Sequence, residues 1–210
     1  MTLEETRKRI LEDDSFVLEE TKRMQFLYQL KHEIRYARKR DVKDTESVAE
    51  HVYGMMMLIE YFLPLEDLGS QWNESRIRRM ALIHDIDEIE TGDTIGYLKT
   101  ESDRARELDS MKVVISKISE VLKSNFTDLA NEYEKQETPE AKFVKAIDRI
   151  EPLFHIYSPE GKEILKQNKT TYNQSNSLKE EYVKDYPCID RFNKIISKQM
   201  QTEGFFTPET

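Results

Sequence analysis

The stretch from Met80 to Asp93 constrains this chain most, because it opens as an apolar helix and then sets a histidine beside an aspartate. Ile77, Met80, Ala81 and His84 recur at helical spacing and share one face, so His84 points inward just before Asp85. Asp87, Glu88, Glu90 and Asp93 crowd in behind the pair. A buried imidazole needs partners. Imidazole nitrogen beside carboxylate oxygen suits a divalent metal such as Mn, Fe, Co or Zn. A single His-Asp pair is nonetheless more often the solvated end of an acidic helix, so the rest of the chain has to decide.

A second histidine narrows the choice. Ser47-Val48-Ala49-Glu50 is a capping box that starts a helix. Its first turn carries His51, and Met55, Leu58, Ile59 and Phe62 continue the same face until Pro64 stops the helix. One inward histidine is usually a hydrogen-bonded core residue. Two of them, with a carboxylate alongside, suggest a shared ligand. Further on, Thr138-Pro139-Glu140 begins a helix whose buried stripe is Phe143, Val144, Ile147 and Leu153, with Pro152 kinking or ending it. Asp148 stands on or beside that stripe, where a lone carboxylate is costly unless paired or metal-bound; Arg149 is its alternative partner.

The remaining segments read as helices with short links. An amphipathic helix is expected over 15–34 and a basic loop over 35–44. Asn73 caps the helix that ends at His84, and Thr94 to Tyr97 forms a turn. A long helix is expected over 101–124 and a short one over 126–136. The segment 161–176 reads as a loop or disordered link, and a last helix covers 188–200. Residues 1–160 are thus expected to form the core, with 161–210 a polar link and a C-terminal helix packing on the same domain.

Composition agrees. Charged residues make up 35% and hydrophobic ones 38%, with only 6 Gly and 6 Pro, which suits an all-α protein with short connections. A net charge of -9 argues against nucleic acid as a partner, while leaving room for a small phosphorylated ligand. The one cysteine, Cys188, can form no intrachain disulfide and reads as a packed thiol or half-exposed bystander in a reducing compartment. The charged N-terminus is no signal peptide and no apolar run spans a bilayer, so a cytoplasmic protein with no membrane partner is expected.

His51, then adjacent His84-Asp85, then Asp148 resembles the pattern of the HD-domain metal-dependent phosphohydrolases. Glu46-Ser47-Val48-Ala49-Glu50-His51 and His84-Asp85-Ile86-Asp87-Glu88-Ile89-Glu90-Thr91-Gly92-Asp93 resemble the motifs of the branch containing bacterial 5'-deoxynucleotidases and their eukaryotic relatives. The resemblance covers roughly residues 16–155. It implies a helical bundle around a central metal site, with His51, His84, Asp85 and Asp148 as metal ligands. It further implies Glu88 as the catalytic carboxylate and Arg35 as the group orienting the phosphate. Tyr36 would lie beside the sugar, and Asp93, Thr94, Ile95 and Gly96 would wall the substrate pocket. Tyr36 departs from the pattern, since the bacterial enzymes carry tryptophan there to help exclude a ribose 2'-hydroxyl. Val42-Lys43-Asp44-Thr45 also departs, replacing a segment where arginine is common.

The resemblance implies a hydrolase that converts (deoxy)nucleoside 5'-monophosphates to nucleoside and phosphate, and a homodimer. The cofactor would be a divalent metal ion, one of Mn, Co, Fe, Zn or Mg. Such an ion lowers the pKa of a water and neutralises phosphoryl charge. Glu88, three residues after Asp85, would move the proton, while Asp87 and Glu90 are expected to be exposed helix charges. The alternatives are a nucleotide phosphodiesterase, a (p)ppGpp-type pyrophosphohydrolase, and a non-catalytic nucleotide-binding HD module.

Overall fold

The computed structural model describes residues 1–35, 46–67 and 71–209. Among these the regular structure is helical, with two isolated bridges (Ile34 with Ser47, Thr171 with Thr207) as the only extended pairing. The all-α class follows from this. The helices are α1 (Leu3–Glu12), α2 (Asp14–Leu27), α3 (Val48–Glu66), α4 (Glu74–Ile83), α5 (Glu88–Thr91) and α6 (Glu101–Lys117). They continue as α7 (Glu120–Lys135), α8 (Pro139–Ile156), α9 (Pro159–Gln167), α10 (Tyr172–Ser177), α11 (Glu180–Val183) and α12 (Pro187–Thr202).

Helix α8 is the central element, packing against α3, α4, α7, α9, α11 and α12. Its sequence explains why. Thr138 caps it, accepting from the Ala141 amide, and Pro139 sits at the first turn, where its missing N–H costs nothing. Phe143, Val144, Ala146, Ile147 and Ile150 are then fully buried on more than one face, as expected of a helix surrounded by others. Each large apolar side chain so buried contributes about 2 kcal/mol. Ser47 and Glu50 form the expected capping box at α3, and Asn73 caps α4.

Five features differ from the sequence reading. Pro64 does not stop α3, nor does Pro152 end α8. Each proline costs one amide donor near a helix end, and the buried residues around it (Phe62 and Leu63; Leu153 and Ile156) hold the helix in register. The helix expected over 101–124 breaks at Ile118, which turns extended to bury its side chain while Ser119 caps α7. The helix expected from Ser15 is preceded by α1, whose Thr2–Glu5 capping box supports a charged, largely exposed helix. Finally, 161–176 is not a loop. It holds most of α9 and α10, capped by Ser158 and Thr171, because Ile164 and Leu165 bury beside α8 despite the polar composition around them.

Candidate metal centre

Three helices and one turn bring the predicted ligands together. His51 projects from the first turn of α3, His84 ends α4, Asp85 begins the turn after it, and Asp148 projects from α8. The two imidazole rings lie with centroids 5.5 Å apart. Donor atoms of His51, His84 and Asp85 all fall within 4.8 Å of one another. Asp148 joins them through Oδ1, which is 3.5 Å from His51 Nε2 and 3.8 Å from His84 Nε2.

The outer hydrogen bonds decide which atoms face inward. His84 Nδ1 donates to the Ala81 carbonyl at 3.0 Å, since a carbonyl can only accept. His51 Nδ1 likewise donates to Glu151 Oε2 at 2.6 Å. Both Nε2 atoms are thereby turned to the centre, where they are buried with no hydrogen-bond partner. Asp148 is divided in the same way. Its Oδ2 accepts from Lys145 Nζ and Tyr133 Oη, each at 3.0 Å, which leaves Oδ1 to the histidines. Two buried imidazole nitrogens whose Nδ1 atoms are engaged, the free Oδ1 of Asp148 and the carboxylate of Asp85 form a donor set that fits a divalent metal.

Electrostatics agree with the fit. Burial and the Arg35 charge push the His51 imidazole down, but the carboxylates of Asp148 and Glu151 outweigh them and raise its pKa to about 9. The field that draws a proton onto His51 would equally draw a divalent cation. Burial would raise Asp148, yet Lys145 and Arg149 hold its carboxyl well below the usual range. Arg149, the expected alternative partner, lies only at 4.0 Å from Asp148 Oδ2. Lys145 holds it more closely.

A second acidic group, Glu46, His51 and Glu151, shares His51 through its other nitrogen. It already has a cation, because Arg35 lies 3.4 Å from Glu46 and 3.7 Å from Glu151. Its geometry therefore supports the ring of His51 rather than forming another centre. Gly54, one turn along α3, has no side chain because a Cβ there would run into Glu151 Oε1.

The turn after His84 changes the setting of the acidic run. The helix does not continue through it: α4 ends at Ile83, and residues 84–87 turn before α5. Glu88 still comes beside Asp85, its amide donating to the Asp85 carbonyl at 3.1 Å. Glu88 is 4% exposed, and burial, then the charges of Asp85 and Asp93, raise its pKa well above the usual range. Asp87 is not the exposed charge expected. It is buried, and burial with the Asp85 and Glu107 charges pushes its pKa up to about 8. Glu90 is partly exposed and pairs with Lys117.

A cavity of about 140 Å³ opens beside the centre. Asp85, Glu88 and Asp148 line it, as do Arg35 and the predicted Asp93, Thr94, Ile95 and Gly96. Arg35, Lys99, Lys145, Arg149 and Lys179 also line it, a concentration of positive charge within a chain of net charge -9. Tyr36 and the basic loop beyond it lie outside the described residues. Sequence reasoning missed Lys145, Tyr133 and Glu151. The signal for two of them was the spacing on α8, where 145 and 151 stand three residues either side of Asp148.

Comparison with known proteins gives three kinds of match. A family model described as HD domain matches residues 27–190. The 5'-deoxynucleotidase HDDC2 of Danio rerio is 34% identical over 124 residues, 58% of this chain and 59% of the relative. The human 5'-deoxynucleotidase HDDC2 is 34% identical over 116 residues, 54% of each chain. This chain thus spans less than two thirds of the length of these curated relatives. A predicted metal-dependent phosphohydrolase from Magnetospirillum magnetotacticum MS-1 shares the fold at a TM-score of 0.76 and 23% identity, covering 91% of this chain and 98% of that one.

Proposed function

The chain belongs to the HD domain family, and on that premise we propose that it is a metal-dependent hydrolase of (deoxy)nucleoside 5'-monophosphates, yielding nucleoside and inorganic phosphate. One observation carries the reading. The inward Nε2 atoms of His51 and His84 converge with Asp85 and Asp148, and the two aspartates line a cavity rich in cationic side chains. The likeness to 5'-deoxynucleotidases supports the choice of substrate.

His51, His84, Asp85 and Asp148 would hold the metal, one of Mn, Co, Fe, Zn or Mg. Such an ion supplies Lewis-acid charge to the phosphoryl oxygens and lowers the pKa of a water. The chain's own residues do the rest. Arg35, kept in place by Glu46 and Glu151, presents its guanidinium to the cavity and orients the phosphate. Lys145 and Tyr133 fix Asp148. Glu88 carries the proton between water and the leaving 5'-oxygen, its affinity for that proton raised by burial and by the charges of Asp85 and Asp93. Asp93 to Gly96 close one wall, and Tyr36 is proposed beside the sugar. The same reading places the protein in the cytoplasm, in keeping with its lone cysteine, and pairs it as a homodimer, which sedimentation of the purified chain tests.

The test is phosphate release from deoxy- and ribonucleoside 5'-monophosphates, nucleoside diphosphates and cyclic nucleotides, with each metal supplied in turn to metal-stripped protein. Metal-dependent release from the monophosphates is expected. Cleavage confined to diphosphates or cyclic nucleotides would overturn the reading.

A further inference from the structure

The cavity has a second wall, made by the end of α8 and by residues between 165 and 179, part of which the sequence reading took for a loop. Ile156, Leu165 and Leu178 give it an apolar face, and Asn168, Ser175 and Lys179 border that face with polar groups. Lys179 is the unusual member. It is 5% exposed, and its Nζ donates to the main-chain carbonyl of Ser175 and, at 2.8 Å, to Ser175 Oγ. Among the described residues no carboxylate pairs with it, and the charge that faces it is the like charge of Arg149 on α8. Burial, with Arg149, lowers its pKa to about 7.

Burying an ammonium without a counter-charge is costly. A structural role alone would be served by an uncharged residue, since Leu178 beside it already supplies apolar packing. An ammonium offers three donors and no acceptor. In the charged form two go to Ser175 and the third is left for an acceptor in the cavity, whose arrival would in turn favour that charged form. The apolar side chains of Ile156, Leu165 and Leu178 beside it offer a surface for a planar ring, and a donor bordering that surface favours a ring-edge carbonyl. We propose that this wall receives the nucleobase of the substrate and that Lys179 donates a hydrogen bond to an exocyclic carbonyl on it. Thymine, uracil, cytosine and guanine carry such an oxygen; adenine carries a 6-amino group instead, and the N–H atoms of that group beside its N1 and N7 would be set against the ammonium. Adenine nucleotides are therefore disfavoured. The inference rests on the monophosphatase reading only for the identity of the ligand as a nucleotide.

The experiment measures equilibrium binding of thymidine and deoxyadenosine to the full chain supplied with Mn, by calorimetry. Nucleosides carry no phosphoryl group, so the result does not depend on turnover. Thymidine should bind about tenfold more tightly than deoxyadenosine, the worth of one hydrogen bond to a charged donor. In Lys179→Met the two affinities should converge to within about twofold, and Lys179→Arg, which keeps a donor, should retain the preference. Circular dichroism checks that each variant is folded. Equal affinities in the wild-type chain would overturn the proposal without recourse to any variant. So would an unchanged preference in folded Lys179→Met, or a loss of inorganic phosphate binding with no change in preference, which would place Lys179 at the phosphate. If thymidine is preferred through Lys179 and yet no monophosphate is hydrolysed, the base wall stands and the monophosphatase reading falls.

Discussion

Gly54→Ala tests whether Glu151 holds the proposed metal ligand His51 in place. An added Cβ would run into Glu151 Oε1 and come within 3.2 Å of its Cδ and 3.3 Å of its Cγ. The carboxylate cannot swing aside freely, because it is 4% exposed and its Oε2 accepts from His51 Nδ1 at 2.6 Å. Two effects oppose each other. Alanine in a helix interior gains about 1 kcal/mol over glycine. Losing the hydrogen bond between imidazole and carboxylate costs about 2 kcal/mol. The net change in stability should therefore be small, about 1 kcal/mol destabilising, while metal affinity falls by roughly 10- to 100-fold, as for other groups that orient a ligating histidine. Equilibrium dialysis with elemental analysis measures the affinity, and thermal melting of the metal-free chain measures the stability. In a Glu151→Ala background the obstacle is gone, so Gly54→Ala should there be neutral or stabilising. Wild-type metal affinity in Gly54→Ala would refute the argument.

Two further outcomes follow from groups around the cavity. Glu88→Gln should retain metal content while turnover falls by about 10²- to 10⁴-fold, measured by phosphate release beside elemental analysis. Lys179 also leaves a signature in stability against pH. Its folded pKa of about 7 lies below the ordinary 10.5, so the folded state disfavours the charged form. The resulting penalty is fully present below about 7 and fades as pH rises toward 10.5. It amounts to a few kcal/mol, at about 1.4 kcal/mol for each tenfold change in proton affinity. Urea melts of the wild type and Lys179→Met should therefore converge as pH rises through that window, with Arg149 the charged neighbour common to both.

The convergence of the candidate ligands was legible because they sit on strongly periodic helices. His51 and His84 each occupy an apolar stripe, and Asp148 interrupts another, so period alone turned all three inward. The support behind them was less visible. Glu151 reads as an ordinary helix charge until His51, a hundred residues away, is placed against it. Asp87 shows the same limit, since the turn after Ile83 buries a side chain that a continuing helix would have exposed. The second wall of the cavity, part of which lies in 161–176, was least legible. Residues 161–176 are polar, and their order comes from a few contacts, Ile164 and Leu165 beside α8, that local composition does not announce. Prolines misled in the other direction, because burial of their neighbours outweighs the one amide each removes.

The most direct measurement pairs metal content with phosphate release in the wild type, His84→Ala and Asp85→Asn. The account predicts a bound divalent ion and metal-dependent release from nucleoside 5'-monophosphates in the wild type. Both should be lost together in the two variants, whose helices remain folded by circular dichroism. Full turnover in either variant, or turnover in the wild type that survives removal of the metal, would contradict it.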